Sequence, residues 1–245
     1  MNQRDIETRL EALDARTTPS LERFDAGPPL LGRIAFLPSA FNPPTIGHLR
    51  LLEEALLVDG VERIAAMLTT RNVAKGIYGA SLADRVGMLL ALRRARPEVA
   101  VVASNMARIM DQADALSRQT RAREVDAIVG FDTLERLFDP KYYDDMEREL
   151  GRFFERHRVI AANRGSETAE RVAEWVRRNA GPFERRILVR EIEPEAADVS
   201  STEAREKAPE DPDAMPVAGP VREYIEERGL YLTPRPPLHG HGEGE

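Results

Sequence analysis

Residues 33–60 read RIAFLPSAFNPPTIGHLRLLEEALLVDG. The opening RIAFLPSAF (33–41) predicts a buried strand that runs into a loop, because a short apolar run bounded by turn residues is typical of such strands. The closing HLRLLEEALLVDG (48–60) has apolar residues at helical spacing and ends on Gly60, which predicts a helix with a C-terminal glycine. The stretch therefore predicts a strand, a proline-containing loop and a helix.

The same alternation continues along the chain. It predicts further strands at 62–70, 99–104, 125–132, 157–164 and 185–192, and further helices at 81–95, 112–124, 133–139, 142–156, 167–180 and 221–231. Short strands that alternate with helices indicate a parallel sheet covered on both faces. We expect an α/β fold with a Rossmann-like, doubly wound parallel sheet, in which ligands bind beyond the carboxyl ends of the strands.

The two ends of the chain differ from this alternating region. Residues 1–29 predict a helical appendage, since Ile6 and Leu10 lie at helical spacing before a proline-rich segment. Residues 30–232 then form the main α/β domain. The remaining residues, 233–245, are low in apolar side chains and predict a disordered tail.

Composition excludes several classes of function. The 245 residues contain no cysteine, which rules out disulfides, thiolate metal sites and cysteine nucleophiles. A net charge of -7 argues against nucleic acid as a partner, since that needs a basic footprint. The charged N-terminal stretch is unlike a signal peptide, and no run approaches the ~18 apolar residues of a membrane span. We expect a cytoplasmic protein without a membrane partner.

The loop after the first strand predicts a phosphate site. Thr45 and His48 are three residues apart at the start of a predicted helix, so their side chains share one face. A helix N-terminus presents free N–H groups and a positive dipole end to an anion. A histidine there can donate a hydrogen bond to a phosphate while charge develops on it. The alternative is that His48 is a capping or core residue.

A second candidate anion site follows the strand predicted at 185–192. The segment DVSSTEAR (198–205) brings three hydroxyls and Arg205 to the start of a helix. The hydroxyls belong to Ser200, Ser201 and Thr202. The alternative is an ordinary N-cap, with Arg205 in solvent.

These two segments carry a family resemblance. AFNPPTIGHLRLLEEAL (40–56) resembles the signature of the nucleotidylyltransferase superfamily, a (His or Thr)-x-Gly-His motif after a Gly-x-Phe-x-Pro loop. DVSSTEAR is similar to the superfamily's Ile-Ser-Ser-Thr-x-x-Arg motif, with Val199 in place of Ile. The nearest branch is the nicotinamide and nicotinate mononucleotide adenylyltransferases. The resemblance covers about residues 33–232 and implies that 30–232 is a nucleotidyltransferase domain that joins the AMP of ATP to a small phosphorylated acceptor.

The resemblance also implies roles for individual residues. His48, Thr45 and Arg205 would be catalytic, and the backbone near Ala40 and Phe41 would contact the nucleotide. The remaining implied ATP-binding residues are Gly130, Asp132, Arg164, Ser200, Ser201 and Thr202. The alternative for Asp132 is the N-cap of the helix that follows it, a role that is compatible with the first.

Weaker candidates lie between the two motifs. Lys75 and Arg85 would bind phosphate, with ordinary surface charge as the alternative. An aromatic ring from Phe138, Tyr142 or Tyr143 would stack on a pyridine ring of the acceptor, unless these residues belong to the core. The lone tryptophan, Trp175, lies on a predicted helix, where core packing is the favoured role.

The implied cofactor is Mg²⁺, held mostly by ATP phosphates and water, since no carboxylate cluster suggests a protein metal site. Whether the chain forms a homo-oligomer stays open. One rival is a nucleotidyltransferase with another acceptor, such as phosphopantetheine, or with CTP as donor. A second rival is a nucleotide-binding regulatory protein without turnover, suggested by Ser39 and Ala40 where the family has glycine.

Overall fold

The computed structural model describes residues 1–71 and 79–232. Within these ranges, the strands are β1 (Leu21–Arg23), β2 (Leu31–Ser39), β3 (Val61–Thr69), β4 (Val99–Ser104), β5 (Arg121–Gly130), β6 (His157–Ala162) and β7 (Ile187–Arg190). The helices are α1 (Gln3–Asp14), α2 (Ile46–Leu56), α3 (Leu82–Ala95), α4 (Ile109–Gln119), α5 (Phe131–Leu137), α6 (Met146–Arg156), α7 (Ala169–Asn179), α8 (Pro194–Ala197), α9 (Ser201–Lys207) and α10 (Gly219–Arg228). None of these helices is both long and apolar enough to cross a bilayer.

The described strands form one sheet in the order β1-β4-β3-β2-β5-β6-β7. Every neighbouring pair is parallel except β1 with β4, which is antiparallel. The chain moves outward from β2 to β3 and β4 on one side, and then to β5, β6 and β7 on the other. The predicted α/β fold with a doubly wound parallel sheet is confirmed. Its switch point lies between β2 and β5, where ligands bind in sheets of this kind.

Both faces of the sheet are buried, which explains the continuous apolar runs in its strands. Side chains alternate along β2, so that Ala35 and Leu37 face one hydrophobic core while Ile34 and Phe36 face the other. Helices α1, α2, α3 and α10 cover the first face, and α4, α5, α6 and α7 cover the second. A strand buried on both sides needs apolar side chains at every position.

The N-terminal segment contains the predicted helix and adds a strand. Ile6 and Leu10 of α1 are buried in the core that also holds α3, and β1 pairs with β4 at the edge of the sheet. The segment therefore packs against the α/β core. The division of the chain at residue 29 stays a prediction, and the predicted tail 233–245 lies outside the described residues.

Several element boundaries differ from the sequence prediction by a few residues, and two of the differences have a clear physical cause. The helix predicted at 112–124 is wrong beyond Gln119, because Thr120 is extended and residues 121–124 pair with the start of β2. These strand residues are polar and mostly exposed at the sheet's amino end, so they lack the apolar run that marks a strand. The last predicted strand begins at Ile187, since residues 181–186 form a 3₁₀ helix.

Candidate active site

A cleft of about 200 Å³ opens at the carboxyl ends of β2, β5 and β6, next to the start of α2 and of α9. It lies at the switch point of the sheet. The predicted site residues that line it are Thr45, His48, Gly130, Arg164, Ser200, Ser201 and Thr202. The structure therefore brings the two sequence motifs together across one cleft.

Thr45 and His48 share one face at the start of α2, as predicted. Thr45 is the N-cap residue, and its backbone N–H donates to Nδ1 of His48 over 3.1 Å. The Thr45 hydroxyl oxygen lies 2.8 Å from the same nitrogen. Because a backbone N–H can only donate, Nδ1 is an acceptor, and the neutral imidazole carries its proton on Nε2. His48 thus caps the helix with one nitrogen and presents the other to the cleft.

The charge state of His48 follows from its surroundings. Burial, aided by the nearby positive charge of Arg164, lowers the pKa of His48 to about 4. The imidazole is therefore neutral at pH 7 and acts as a hydrogen-bond donor through Nε2–H. That nitrogen lies 2.9 Å from Oγ of Ser39, the last residue of β2.

Phe41 holds the other side of the His48 ring. Its ring centroid is 5.0 Å from that of His48, and its side chain is fully buried. Its φ of 44° lies in the left-handed region, which a bulky residue rarely adopts and which is found most often at functional sites. The exposed Ala40 precedes it. Neither residue lines the cleft, so their predicted nucleotide contact stays a prediction.

The second motif is bonded directly to the first loop. Ser200 is the N-cap of α9, and its Oγ accepts from the backbone N–H of Glu203 over 3.0 Å. Ser201 donates its hydroxyl to the carbonyl oxygen of Pro43 over 2.8 Å. Arg205 donates to the carbonyl oxygen of Asn42 over 2.6 Å, and it lies half-buried against this loop instead of in solvent.

Gly47 explains how closely the two motifs approach. A Cβ atom at this position would lie 2.7 Å from the carbonyl oxygen of Ala196, a backbone atom in α8. Such a contact is too short for any side chain, so the start of α2 can press against α8 only with glycine here. The glycine between Thr45 and His48 is thus required by the packing of α2 against α8, the short helix that directly precedes the second motif.

The opposite wall of the cleft comes from β5 and β6. Arg164 follows β6, and its Nε lies 3.4 Å from a carboxylate oxygen of Asp132. Asp132 is the second residue of α5, whose N-cap is Gly130, so the alternative role of Asp132 as N-cap is wrong. Gly130 has an ordinary φ of -76°, and a Cβ there would meet Cδ of Arg164 at 3.5 Å. This is an ordinary van der Waals distance, so the wall does not require glycine at position 130.

The two weaker phosphate candidates have different outcomes. Arg85 is 6% exposed, so the alternative of ordinary surface charge is wrong for it. Its guanidinium donates to the carbonyl oxygens of Ala80, over 3.0 Å, and Ala40, over 3.4 Å. Burial lowers the pKa of Arg85. Lys75 lies outside the described residues.

The three candidate acceptor aromatics do not line the cleft. Phe138 packs on Phe154 and Trp175 in the core, and the Tyr143 hydroxyl donates to the Leu137 carbonyl oxygen over 2.5 Å. The core role is therefore the one observed for Phe138 and Trp175, while Tyr143 is half-buried beside them. Tyr142 is 52% exposed on a short 3₁₀ helix.

Two polar side chains that line the cleft, those of Ser39 and Asn163, were absent from the sequence-based site. Ser39 contacts His48, and Asn163 joins the segments after β6 and β7. The Asn163 side chain donates to the carbonyl oxygen of Ile192 over 3.0 Å and accepts from the backbone N–H of Ile192 over 2.7 Å. Each lies at or just after the carboxyl end of a strand, which is the signal that would have identified them.

Comparison with known proteins agrees with this architecture. The model of the cytidylyltransferase-like family matches residues 36–207. A curated protein of Schizosaccharomyces pombe, named "Putative nicotinamide mononucleotide adenylyltransferase", is 30% identical over 135 residues, which are 54% of this chain and 53% of that protein. The chain thus spans about half the length of this curated relative.

Solved structures share the fold. The nicotinic acid mononucleotide adenylyltransferase of Plasmodium falciparum, complexed with APC, superposes with a TM-score of 0.61 at 15% identity, covering 81% of this chain and 96% of that one. The same enzyme complexed with NaAD gives a TM-score of 0.61 at 15% identity, with coverage of 82% and 97%. At this identity the likeness establishes the fold alone.

Proposed function

The chain belongs to the cytidylyltransferase-like family, and we propose that it transfers an adenylyl group from ATP to a small phosphorylated acceptor, with release of pyrophosphate. The observation that carries the proposal is the single cleft that joins the neutral donor His48 to the start of α9. Both elements suit phosphate oxygens, one through a side-chain N–H and the other through hydroxyls and free backbone N–H groups.

The reaction proposed is one displacement at the α-phosphorus of ATP. An oxygen of the acceptor phosphate forms a bond to this phosphorus, and the bond to the bridging oxygen of the leaving pyrophosphate breaks. No enzyme nucleophile is required, so the work of the chain is to align two anions and to stabilise the charge that develops between them. His48 donates a hydrogen bond from Nε2, and Arg205, the hydroxyls of Ser200 and Thr202, and the backbone N–H of Ser201, whose hydroxyl is bonded to Pro43, complete the proposed phosphate contacts.

A divalent ion, Mg²⁺ by its preference for phosphate oxygens, is part of the proposal. Among residues 1–71 and 79–232, no group of three or more His, Cys, Asp or Glu side chains could hold a metal. The ion would therefore be bound by the nucleotide's phosphates and water, which suits a cation that dehydrates reluctantly. It would neutralise phosphate charge as the two anions approach.

The acceptor that we propose is nicotinamide mononucleotide or nicotinate mononucleotide. The names of the S. pombe relative and of the two P. falciparum structures support this choice. Of the three candidate aromatics, Tyr142 has the most exposed ring. If it stacks on the pyridine ring, Tyr142→Ala should raise the acceptor KM about tenfold at most, since such contacts contribute about 0.5–1.5 kcal/mol. ATP binding should hardly change.

A panel of substrates tests the proposal directly. Pyrophosphate release is measured with ATP and Mg²⁺ plus nicotinamide mononucleotide, nicotinate mononucleotide or phosphopantetheine, and again with CTP replacing ATP. We expect release with ATP and at least one pyridine mononucleotide, and release ~10²–10³-fold slower from His48→Ala at the same enzyme concentration. Release only with phosphopantetheine would show that the proposed acceptor is wrong, and release only with CTP would show that the proposed donor is wrong. Either result would leave the family assignment intact.

A regulatory protein without turnover is the second candidate. It is favoured by the contact of Ser39 Oγ with His48 Nε2, because the nitrogen that should meet the phosphate already has a partner. Thermal unfolding with and without millimolar ATP and Mg²⁺ separates the possibilities, since a ligand of the native state raises its stability. A shift without pyrophosphate release from any acceptor supports this candidate, and the absence of a shift contradicts nucleotide binding altogether.

A further inference from the structure

Ser39 is the last residue of β2, and its side chain lines the cleft at the carboxyl end of that strand. Its Oγ lies 2.9 Å from Nε2 of His48. In the family that the sequence resembles, glycine is usual in this part of the loop. The serine is therefore a feature of this chain that the proposed reaction does not yet explain.

The direction of the Ser39–His48 hydrogen bond can be deduced. The backbone N–H of Thr45 occupies Nδ1 of His48, so the single proton of the neutral ring is on Nε2. An imidazole N–H only donates, so Oγ of Ser39 is the acceptor. The hydroxyl hydrogen of Ser39 must then point away from the ring.

The surroundings of Ser39 show where that hydrogen can go. Ser39 is half-buried and lines the cleft together with Ser200, Ser201 and Thr202. Within the described parts of the chain, His48 is the one hydrogen-bond partner of the Ser39 hydroxyl. The free O–H therefore has the open volume of the cleft before it, where an anion would complete its hydrogen bonding.

We infer that Ser39 is a further phosphate-binding residue of the cleft, whose hydroxyl donates to a phosphate oxygen while it accepts the Nε2–H of His48. The inference rests on the proposed function, because it requires a phosphate group in the cleft. Each proton stays on its own atom, and His48 then acts on the phosphate through Ser39, by a chain of two hydrogen bonds that replaces the direct contact of His48 with the phosphate. Hydrogen bonds in such chains polarise and strengthen one another.

The test compares three variants with the wild-type protein. Ser39→Ala removes the hydroxyl, Ser39→Thr keeps it, and Ser117→Ala is a matched control on α4, away from the cleft lining. The affinity for inorganic pyrophosphate is measured by calorimetry, and kcat by pyrophosphate release. We expect Ser39→Ala to weaken pyrophosphate binding and kcat by about tenfold to a hundredfold, the value of a hydrogen bond to a charged group.

The Ser39→Thr variant should retain most of the pyrophosphate affinity and most of the kcat. Ser117→Ala should match the wild-type protein in both. The kcat of the double variant Ser39→Ala/His48→Ala should be little lower than that of His48→Ala alone, because the effects of residues that act as one unit are not additive. Unchanged or raised kcat and affinity in Ser39→Ala would overturn the inference, because Ser39 would then be a bystander or would block His48. Equal losses in Ser39→Thr and Ser39→Ala would also overturn it.

The proposed function is judged separately, on the wild-type protein. If the wild-type protein releases no pyrophosphate with any acceptor but binds it in a Ser39-dependent way, the transfer reaction fails and the role of Ser39 stands. If the wild-type protein turns over normally and Ser39→Ala does the same, the role of Ser39 fails and the transfer reaction stands. Thermal unfolding of each variant confirms that the comparison is made on folded protein.

Discussion

The two halves of the cleft differ in the contacts that they would offer to the phosphate of the proposed reaction. The loop from Ser39 to His48 offers neutral donors in a largely dry setting: Thr45 is 2% exposed, and the pKa of His48 is lowered to about 4. The segment from Ser200 to Arg205 offers a permanent charge and a helix start at a half-open surface. A neutral donor gains most when charge develops on its acceptor, whereas a guanidinium attracts an anion at every stage.

Because of this difference, we expect the two halves to have different roles in the proposed reaction. In the first half, His48 should act mainly in the transition state, whereas the second half should act mainly in nucleotide binding. The two are still coupled, because Arg205 and Ser201 donate to carbonyl oxygens of Asn42 and Pro43 in the first loop. Substitutions in the second half should therefore also disturb the first, although less than they disturb binding.

The largest effect is expected for His48→Ala. We expect kcat to fall ~10²–10³-fold with ATP affinity nearly unchanged, because a donor aimed at developing charge contributes in the transition state. Steady-state kinetics and calorimetry with ATP measure the two quantities. His157→Gln is the control, since His157 is a buried histidine at the start of β6 that pairs with Asp114. An unchanged kcat in His48→Ala would leave His48 as a capping residue only.

Arg205→Ala should affect mainly ATP binding, whereas His48→Ala affects mainly kcat. We expect ATP affinity to fall about tenfold to a hundredfold, the value of a lost hydrogen bond to a charged group, with a smaller loss in kcat. Arg205→Lys should restore only part of the affinity, because a lysine cannot reproduce the planar fork in which Nη1 donates to the carbonyl oxygen of Asn42 while Nη2 donates to the hydroxyl of Thr202. A variant with normal ATP affinity and a large loss of kcat would reverse the proposed division between the two halves.

Ser200→Ala separates capping from anion binding. The loss of an N-cap hydroxyl should lower the free energy of unfolding by about 1 kcal/mol. Ser81→Ala is the matched control, since Ser81 caps α3 through the same contact, an Oγ that accepts a backbone N–H three residues on. We expect a similar stability loss in both variants and weaker ATP binding only in Ser200→Ala. Equal ATP binding in the two would make Ser200 a cap without a ligand role.

The smallest effect concerns the titration of His48. Its folded pKa of about 4 lies below the ordinary value of 6.5, so the unfolded chain takes up the proton first as pH falls. The stability that the neutral ring contributes is therefore fully present above about pH 6.5 and is lost as pH falls towards 4. His157, whose pKa is also lowered by burial, acts in the same direction.

Two measurements check this titration. Chemical-shift titration of the imidazole nitrogens should give one histidine, absent from His48→Gln, that stays neutral with its proton on Nε2 down to about pH 4. Urea unfolding between pH 4 and 7 should show a weaker fall in stability for His48→Gln than for the wild-type protein. A midpoint of the His48 resonance near 6.5 would contradict the dry setting assigned to the first half of the cleft.

Sequence patterns predicted those features of the structure that depend on neighbouring residues in the chain. The strand and helix of residues 33–60 could be predicted because burial on both sides of a sheet requires continuous apolar runs. The shared face of Thr45 and His48 follows from helical spacing alone. The same reasoning failed at residues 121–124, where pairing with β2 makes a strand from polar residues that carry no apolar signal. Phe138 shows a second limit of sequence-based prediction, because the sequence does not distinguish an aromatic residue in a core from one in a binding pocket.

By itself, the sequence determined the α/β class, the two family motifs and the order in which they occur. Only the tertiary structure decided that Ser39 accepts from His48, that Gly47 lies against Ala196, and that Arg205 is tied to Asn42. These last two contacts join residues about 150 or more positions apart in the chain, which no periodicity records. Their geometry depends on how α2 and α9 pack at one edge of the sheet, and packing of that kind is set by the whole core.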